Sequence, residues 1–250
     1  MAIYIGTSGW SYAHWQGVLY PSGLPNREWL AYYVQHFQTV EVNRTFYRWP
    51  RAATFAHWAR RLPPGFCLSV KAPRGLTHGA RLQAPDTWLS RIQSSLQPLG
   101  EKRGALLVQL PPDLPCDFPR LEAFLHRLPA TGLRVAVEFR HPSWHLEAVF
   151  QRLERYQVAY TVMSGANLPC ILRATAPFVY LRLHGPDPQW LYTGSYSEAD
   201  LGWWAERIDE WARQGRDVLA YFNNDGDGHA VRNAWRLQQR VNEATGLAVA

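Results

Sequence analysis

Cysteine is scarce. There are three, Cys67, Cys116 and Cys170, far apart and without a CxxC pair. An odd, scattered set argues against a disulfide framework or a structural zinc, and a reducing cytoplasm is the simpler setting. Charge is sparse too: Asp, Glu, Lys and Arg make up 18% of the chain, against about a quarter in ordinary globular proteins. No stretch approaches the ~18 uninterrupted apolar residues of a membrane-crossing helix, so no membrane partner is expected. The opening Met-Ala-Ile-Tyr-Ile-Gly lacks the charged region, apolar run and cleavage site of a signal peptide. No Lys/Arg block of the kind that marks a nucleic-acid tail is present, and the dense basic stretch Arg60–Arg61 is short. A glycine-rich phosphate loop is missing as well. Gly6-Thr7-Ser8-Gly9-Trp10 fits neither GxGxxG nor the P-loop pattern, which disfavours an open doubly wound sheet.

What is present is apolar and aromatic. Hydrophobic residues form 47% of 250, aromatics 14%, and Trp alone occurs 12 times. The chain can therefore bury a sizeable core and still leave rings for a cleft. A formal charge of +6 suits an anionic ligand such as a phosphate, a carboxylate or nucleic acid.

Short β-rich runs alternate with amphipathic stretches. The strand candidates are Ala2–Gly6, Thr39–Val42, Phe66–Val70, Ala105–Gln109, Arg134–Phe139, Val158–Val162, Phe178–Leu183 and Val218–Phe222. Between them lie helical stripes: Leu89, Ile92, Leu96 and Leu99; Leu121, Phe124, Leu125 and Leu128; Leu146, Val149, Phe150 and Leu153; Leu201, Trp204, Ile208 and Trp211. Ser197 before Glu198-Ala199-Asp200 resembles a capping box, and Pro85-Asp86 and Pro142-Ser143 look like helix starts. Strict alternation implies parallel strands with crossover helices. Eight such units fit a closed TIM-type (β/α)8 barrel, expected as one domain over residues 1–250. Residues 164–177 show little helical pattern, so the crossover after strand six should be short or irregular. Gly185 to Ser197, rich in Pro, Gly and aromatics, should form a long loop placed as a lid. The tail from Glu243 to Ala250 should fray.

Side-chain parity sorts the strand residues. Each strand carries an apolar set and a polar set that appears late, at its carboxyl end, where barrel enzymes build their sites. Glu41, Lys71, Glu138, Arg140, Arg182, His184 and Asn223 are expected to converge there. Two alternatives stand for these charges: a ligand site, or a structural plug in which Glu41 pairs with Lys71 and Glu138 with Arg182.

The segments Gly6–Tyr12, Glu41–Tyr47, Lys71-Ala72-Pro73 with Thr77-His78, Leu107–Pro112, Val137–His141, Arg182–Gly185 and Tyr221–Asp225 resemble, in this order, those of the YecE-like family, catalogued as a domain of unknown function. The resemblance runs over nearly the whole chain. It implies a barrel and motifs lying after strands, and it implies no particular reaction.

The favoured chemistry is an enzyme acting on a phosphorylated, carboxylated or sugar-like small molecule, with hydrolase, lyase and isomerase undistinguished. Glu41, Glu138 and His184 are the candidate acid/base residues. Lys71, Arg140 and Arg182 would hold an anion, with Asn43, Gln109 and Asn223 as polar contacts and Trp10, Tyr12 and Trp144 as stacking rings. A glycosidase is disfavoured because strands four and seven end in Gln109 and His184, and a Schiff base at Lys71 is disfavoured because a barrel lysine beside carboxylates usually pairs with them. No cofactor is implied. A metal-dependent phosphodiesterase is an alternative, with Glu41, Glu138, His141, His184 and Asp225 as ligand types and without an HxH or HExxH pair. The other alternative is a non-catalytic binder of nucleic acid or nucleotide. No obligate protein partner is implied.

Overall fold

Eight parallel strands close into a barrel in sequence order, as a computed structural model describing residues 1–245, with side chains to residue 243, shows. The strands are β1 (Ile3–Ser8), β2 (Thr39–Val42), β3 (Cys67–Lys71), β4 (Arg103–Gln109), β5 (Val135–Glu138), β6 (Ala159–Ser164), β7 (Phe178–Leu183) and β8 (Asp217–Phe222). All eight sequence candidates correspond, and the largest differences are of two residues, at the ends of β1 and β6 and the start of β4. The helices are α1 (Trp29–Tyr33), α2 (Ala52–Arg61), α3 (Asp86–Leu96), α4 (Phe118–Arg127), α5 (Glu147–Arg155), α6 (Glu198–Arg213) and α7 (His229–Thr245). Helix α7 continues through Glu243, so fraying does not begin there; residues 246–250 lie outside the described residues.

The chain divides into two compact units. One comprises Met1–Glu41, Val162–Leu172 and the chain from Phe178 onward; the other comprises Val42–Thr161 and Arg173–Pro177. In the first, β7 pairs with β8, β8 with β1 and β1 with β2, all parallel. In the second, β3 pairs with β4, β4 with β5 and β5 with β6, again parallel.

The helices form where caps and apolar stripes agree. In α4, Asp117 caps the amide of Arg120 at 3.0 Å, Pro119 occupies the first turn, and Leu121, Phe124 and Leu125 are buried. Each such side chain contributes roughly 1.5–3 kcal/mol by leaving water. In α6 the Ser197–Asp200 capping box is formed, and Leu201, Trp204, Ile208 and Trp211 face inward. Two expectations at the start of α5 are corrected. Pro142–Trp144 is a separate 3-10 turn, and Leu146, expected in the buried stripe, is the N-cap residue and is exposed.

No helix joins β6 to β7. Within the second unit, residues 173–177 stand in its place. Thr175 Oγ1 accepts the Tyr160 amide at 2.7 Å and donates to the Val158 carbonyl at 2.6 Å. Arg173 pairs with Glu147 and Glu154 of α5. These bonds satisfy the polar groups that a crossover helix would otherwise cover. Among the described residues no helix is long and apolar enough to cross a membrane.

Candidate functional site at the strand carboxyl ends

In the first unit, strand register gathers one buried polar layer. Ser8 lies beside Glu41 in the β1–β2 pair, and Arg182 beside Tyr221 in the β7–β8 pair. Glu41 is 0% exposed and Arg182 1%. Arg182 grips Glu41 with two N–H groups, Nε to Oε2 at 3.0 Å and Nη2 to Oε1 at 2.8 Å. The Tyr180 hydroxyl donates to Oε2 at 2.7 Å, and the Ser8 hydroxyl to Oε1. A carboxylate offers about four lone-pair positions, and these four donors occupy them. Burial, and then the adjacent Glu41 charge, push the Tyr180 phenol well above its ordinary range, so it remains a donor. One pairing is fixed here: Glu41 is held by Arg182.

Further along the same strands, His184 is buried, and its Nδ1 meets the Asn223 amide nitrogen at 3.2 Å. The loop over residues 184–197 folds back on it. The Tyr192 amide donates to the His184 carbonyl at 2.5 Å, and the two rings meet edge to face at 5.4 Å. The Tyr196 hydroxyl secures the base of the loop by accepting from the Gly185 amide and donating to Ser164, both at 3.0 Å. Asn224 reaches the Gly194 carbonyl at 2.8 Å. Gly185 is required: its φ is +106°, and a Cβ there would sit 2.1 Å from the Thr193 carbonyl oxygen. Tyr12 donates to the Ser8 carbonyl at 2.7 Å and packs on Trp15, while Trp10 is half-buried.

In the second unit, Gln109 registers with Glu138, Leu107 with Ala136, and Lys71 with Leu107. Tyr160 registers with Val137 and packs on Phe150 of α5, which marks that face as the helix layer. Lys71, Gln109 and Glu138 therefore share the opposite, interior face. Continuing the register from Ala136–Ala159 brings Thr161 alongside Glu138. Glu138 is 0% exposed and accepts from Arg140 Nε, whose side chain is 8% exposed. One partner is thus Arg140, two residues on. The Thr161 hydroxyl is buried without a hydrogen-bond partner among the described residues. Lys71 Nζ lies 4.6 Å from the Phe46 ring centroid, and its carbonyl accepts from Thr45 at 2.6 Å. Asn43, half-buried, precedes the turn that carries Phe46.

Trp144 is corrected. It is 0% exposed, its indole N–H donates to the Leu114 carbonyl at 2.8 Å, and its ring stacks on Phe139 at 4.8 Å. It holds the loop after β5 and has no face to offer a ligand. Parity groups Tyr180 with Arg182 and His184, whereas sequence reasoning missed Ser8 and Thr161 as members of these layers. Among the described residues, no group of three His, Cys, Asp or Glu side chains is arranged to hold a metal ion. A surface cleft of about 630 Å³ lies elsewhere in the second unit, lined in part by Arg81, Gln83, Leu114, Cys116 and Asp117, and none of the strand-end residues above lines it.

A parallel eight-stranded closed barrel with helices between most of its strands defines a TIM-type barrel protein. Within that class the chain belongs to the DUF72 family, described as a protein of unknown function, which matches residues 4–249. It is 27% identical to the UPF0759 protein YunF of Bacillus subtilis over 98% of this chain and 97% of that protein. A solved DUF72 family protein from Thermotoga maritima superposes with a TM-score of 0.86 at 29% identity, covering 97% of this chain and all of that one. A glycoside hydrolase family 5 enzyme from Prevotella bryantii aligns with a TM-score of 0.51 at 12% identity, a likeness of fold alone.

Proposed function

We propose that the protein is an enzyme acting on a phosphorylated, carboxylated or sugar-like small molecule, with Glu138 as the group that moves a proton. The observation that carries this reading is the interior layer of the second unit. There a fully buried carboxylate stands in register with the Gln109 amide, beside a buried hydroxyl without a partner among the described residues. Burying a hydroxyl without a partner is costly unless a ligand repays it. Arg140 supplies a planar donor fork for a phosphate or carboxylate, and Lys71 adds a second cation on the same face. The closed donor set around Glu41 supports a division of labour in which Glu41 and Arg182 are structural.

The test is a thermal-shift screen of phosphorylated and carboxylated sugars and acids, followed by turnover assays on those that stabilise the protein. Glu138→Gln should lower turnover by about 10²–10⁴-fold, the usual contribution of general acid–base catalysis, with a smaller loss of stability than Glu41→Gln, because Arg140 lies past the end of β5 rather than within a strand. Parallel loss of stability and turnover would assign Glu138 to a structural plug instead.

A further inference from the structure

The segment 42–85 contains eight arginines and lysines and not one Asp or Glu, whereas the whole chain carries +6. The rest of the chain is therefore net acidic, and the basic character resides in this one segment of the second unit. Four of its five exposed cations lie on or next to two turns that follow neighbouring strands. Arg44, Arg48 and Arg51 lie on and just after the 3-10 turn at Arg44–Phe46, beyond β2. Arg74 immediately precedes the π-type turn at Gly75–Gly79, beyond β3. The two turns touch, because the Phe46 and His78 rings meet edge to face at 4.9 Å. The Arg48 amide bonds the Arg44 carbonyl at 3.3 Å, which puts these two arginines one turn apart. The His78 imidazole is held below its ordinary range by partial burial and then by Lys71 and Arg74, with the Asp113 carboxylate acting in the opposite direction.

Between Arg44 and Arg48 stands Tyr47, 82% exposed, touching the edge of Phe46 at 5.1 Å. An aromatic ring with an open face, flanked by arginines on a stretch of sequence without acids, has the two components of a single-strand binding platform: cations that follow phosphates and a ring on which a base stacks. We propose that the surface formed by Arg44, Tyr47, Arg48, Arg51 and Arg74 binds single-stranded nucleic acid. An anionic membrane or a phosphopeptide would also meet the charge, but the exposed ring between two arginines favours a ligand that alternates phosphates with flat bases. This proposal is independent of the small-molecule reading, and none of its five residues belongs to the strand-end layer.

The experiment is fluorescence anisotropy of the full chain with fluorescein-labelled dT12 and U12, titrated at several salt concentrations. Binding should weaken with salt, the logarithm of affinity falling with a slope of about 0.7 per phosphate contact. Tyr47→Ala should weaken oligonucleotide binding roughly 5- to 150-fold, the effect of losing one stacked base, while leaving heparin binding within about twofold. R44Q/R48Q/R74Q should lower the affinity for both polyanions and flatten the salt slope. The control R60Q/R61Q removes two charges from the carboxyl end of α2 and should change affinity less than twofold. All these side chains lie on helices or turns of the surface, and circular dichroism checks that each variant folds. The proposal is overturned if neither oligonucleotide binds at low salt, or if the control weakens binding as much as R44Q/R48Q/R74Q. It is also overturned if Tyr47→Ala has no effect, if a duplex binds more tightly than both single strands, or if only anionic vesicles or a phosphopeptide bind.

Discussion

Replacing Arg182 by Met should destabilise the protein far more than the loss of a surface ion pair. The side chains of Glu41 and Arg182 are 0% and 1% exposed and share two hydrogen bonds. Removing one partner strands a charge in the interior, at a cost of about 3–5 kcal/mol, whereas exposed pairs contribute about 0–1 kcal/mol. For a chain of this size each kcal/mol shifts the melting temperature by roughly 2–4 °C, so a fall of roughly 6–20 °C is expected. Glu41→Gln should cost a similar amount, because it leaves the guanidinium without its counter-charge.

The double variant E41Q/R182M carries neither charge, and the side-chain amide oxygen that replaces the carboxylate still accepts from Tyr180. It should lose less than the sum of the two single changes, with a coupling energy of about 2 kcal/mol or more. Urea unfolding of the four proteins at neutral pH, read from midpoints at constant slope, measures this without knowing the substrate. An Arg182→Met cost under about 1 kcal/mol, or additive single and double variants, would refute the buried-pair account.

Two further stability predictions follow from titration and hydrogen bonding. Tyr196→Phe removes one donor and one acceptor at the base of the 184–197 loop and should cost about 1–3 kcal/mol, seen as faster hydrogen exchange across that loop. Burial pushes the Tyr196 phenol up to about 12, so its contribution is complete below the unfolded value near 10 and is lost as pH rises toward 12; parent and variant should converge over that range. The hydrogen bonds from Arg236 and Arg240 hold Glu198 at about 2, against an ordinary 4.5. Its contribution is therefore present above pH 4.5 and fades as pH falls toward 2. The gap in urea midpoint between the parent and Glu198→Gln should close over that interval, and salt should shrink it at every pH because the pair is exposed.

Periodicity makes the fold legible. Alternating runs locate all eight strands, and the unpatterned stretch after β6 is the one that lacks a helix. Parity places Glu138 with Gln109 and Arg182 with Tyr180, because those relations repeat along single strands or between registered neighbours. What parity does not reveal is which charges pair. Glu41 is nearer in sequence to Lys71, yet strand order in the first unit brings Arg182 to it. Trp144 misleads for a related reason: its place after a strand end suggests a ligand ring, but the 3-10 turn at Pro142–Trp144 tucks it onto Phe139. The basic surface escapes notice when charge is sought as a dense Lys/Arg block. The informative property is the absence of acids across 42–85, which a count of cations alone does not reveal.

Glu41 and Glu138 are both fully buried carboxylates held by arginine, yet they differ in where the arginine sits. Arg182 lies within β7, fixed by its register with Tyr221. Arg140 lies past the end of β5, on the segment leading to the Pro142 turn, and a loop side chain can change partners at lower cost than a strand residue. An incoming phosphate or carboxylate would compete with Glu138 for Arg140, which couples anion binding to release of the Glu138 carboxylate. This predicts a sign. Glu138→Gln removes both the competitor and the repelling charge, so it should tighten the binding of inorganic phosphate. Arg140→Gln should abolish that binding, and Arg140→Lys should weaken it by losing the planar fork. For a site of about 1 mM affinity, 10 mM phosphate stabilises by roughly 1.4 kcal/mol, or roughly 3–6 °C in melting temperature, which differential scanning fluorimetry resolves. Phosphate binding that weakens in Glu138→Gln, or survives in Arg140→Gln, would show that the anion does not meet this arginine and would remove the coupling on which the proposed proton transfer at Glu138 depends.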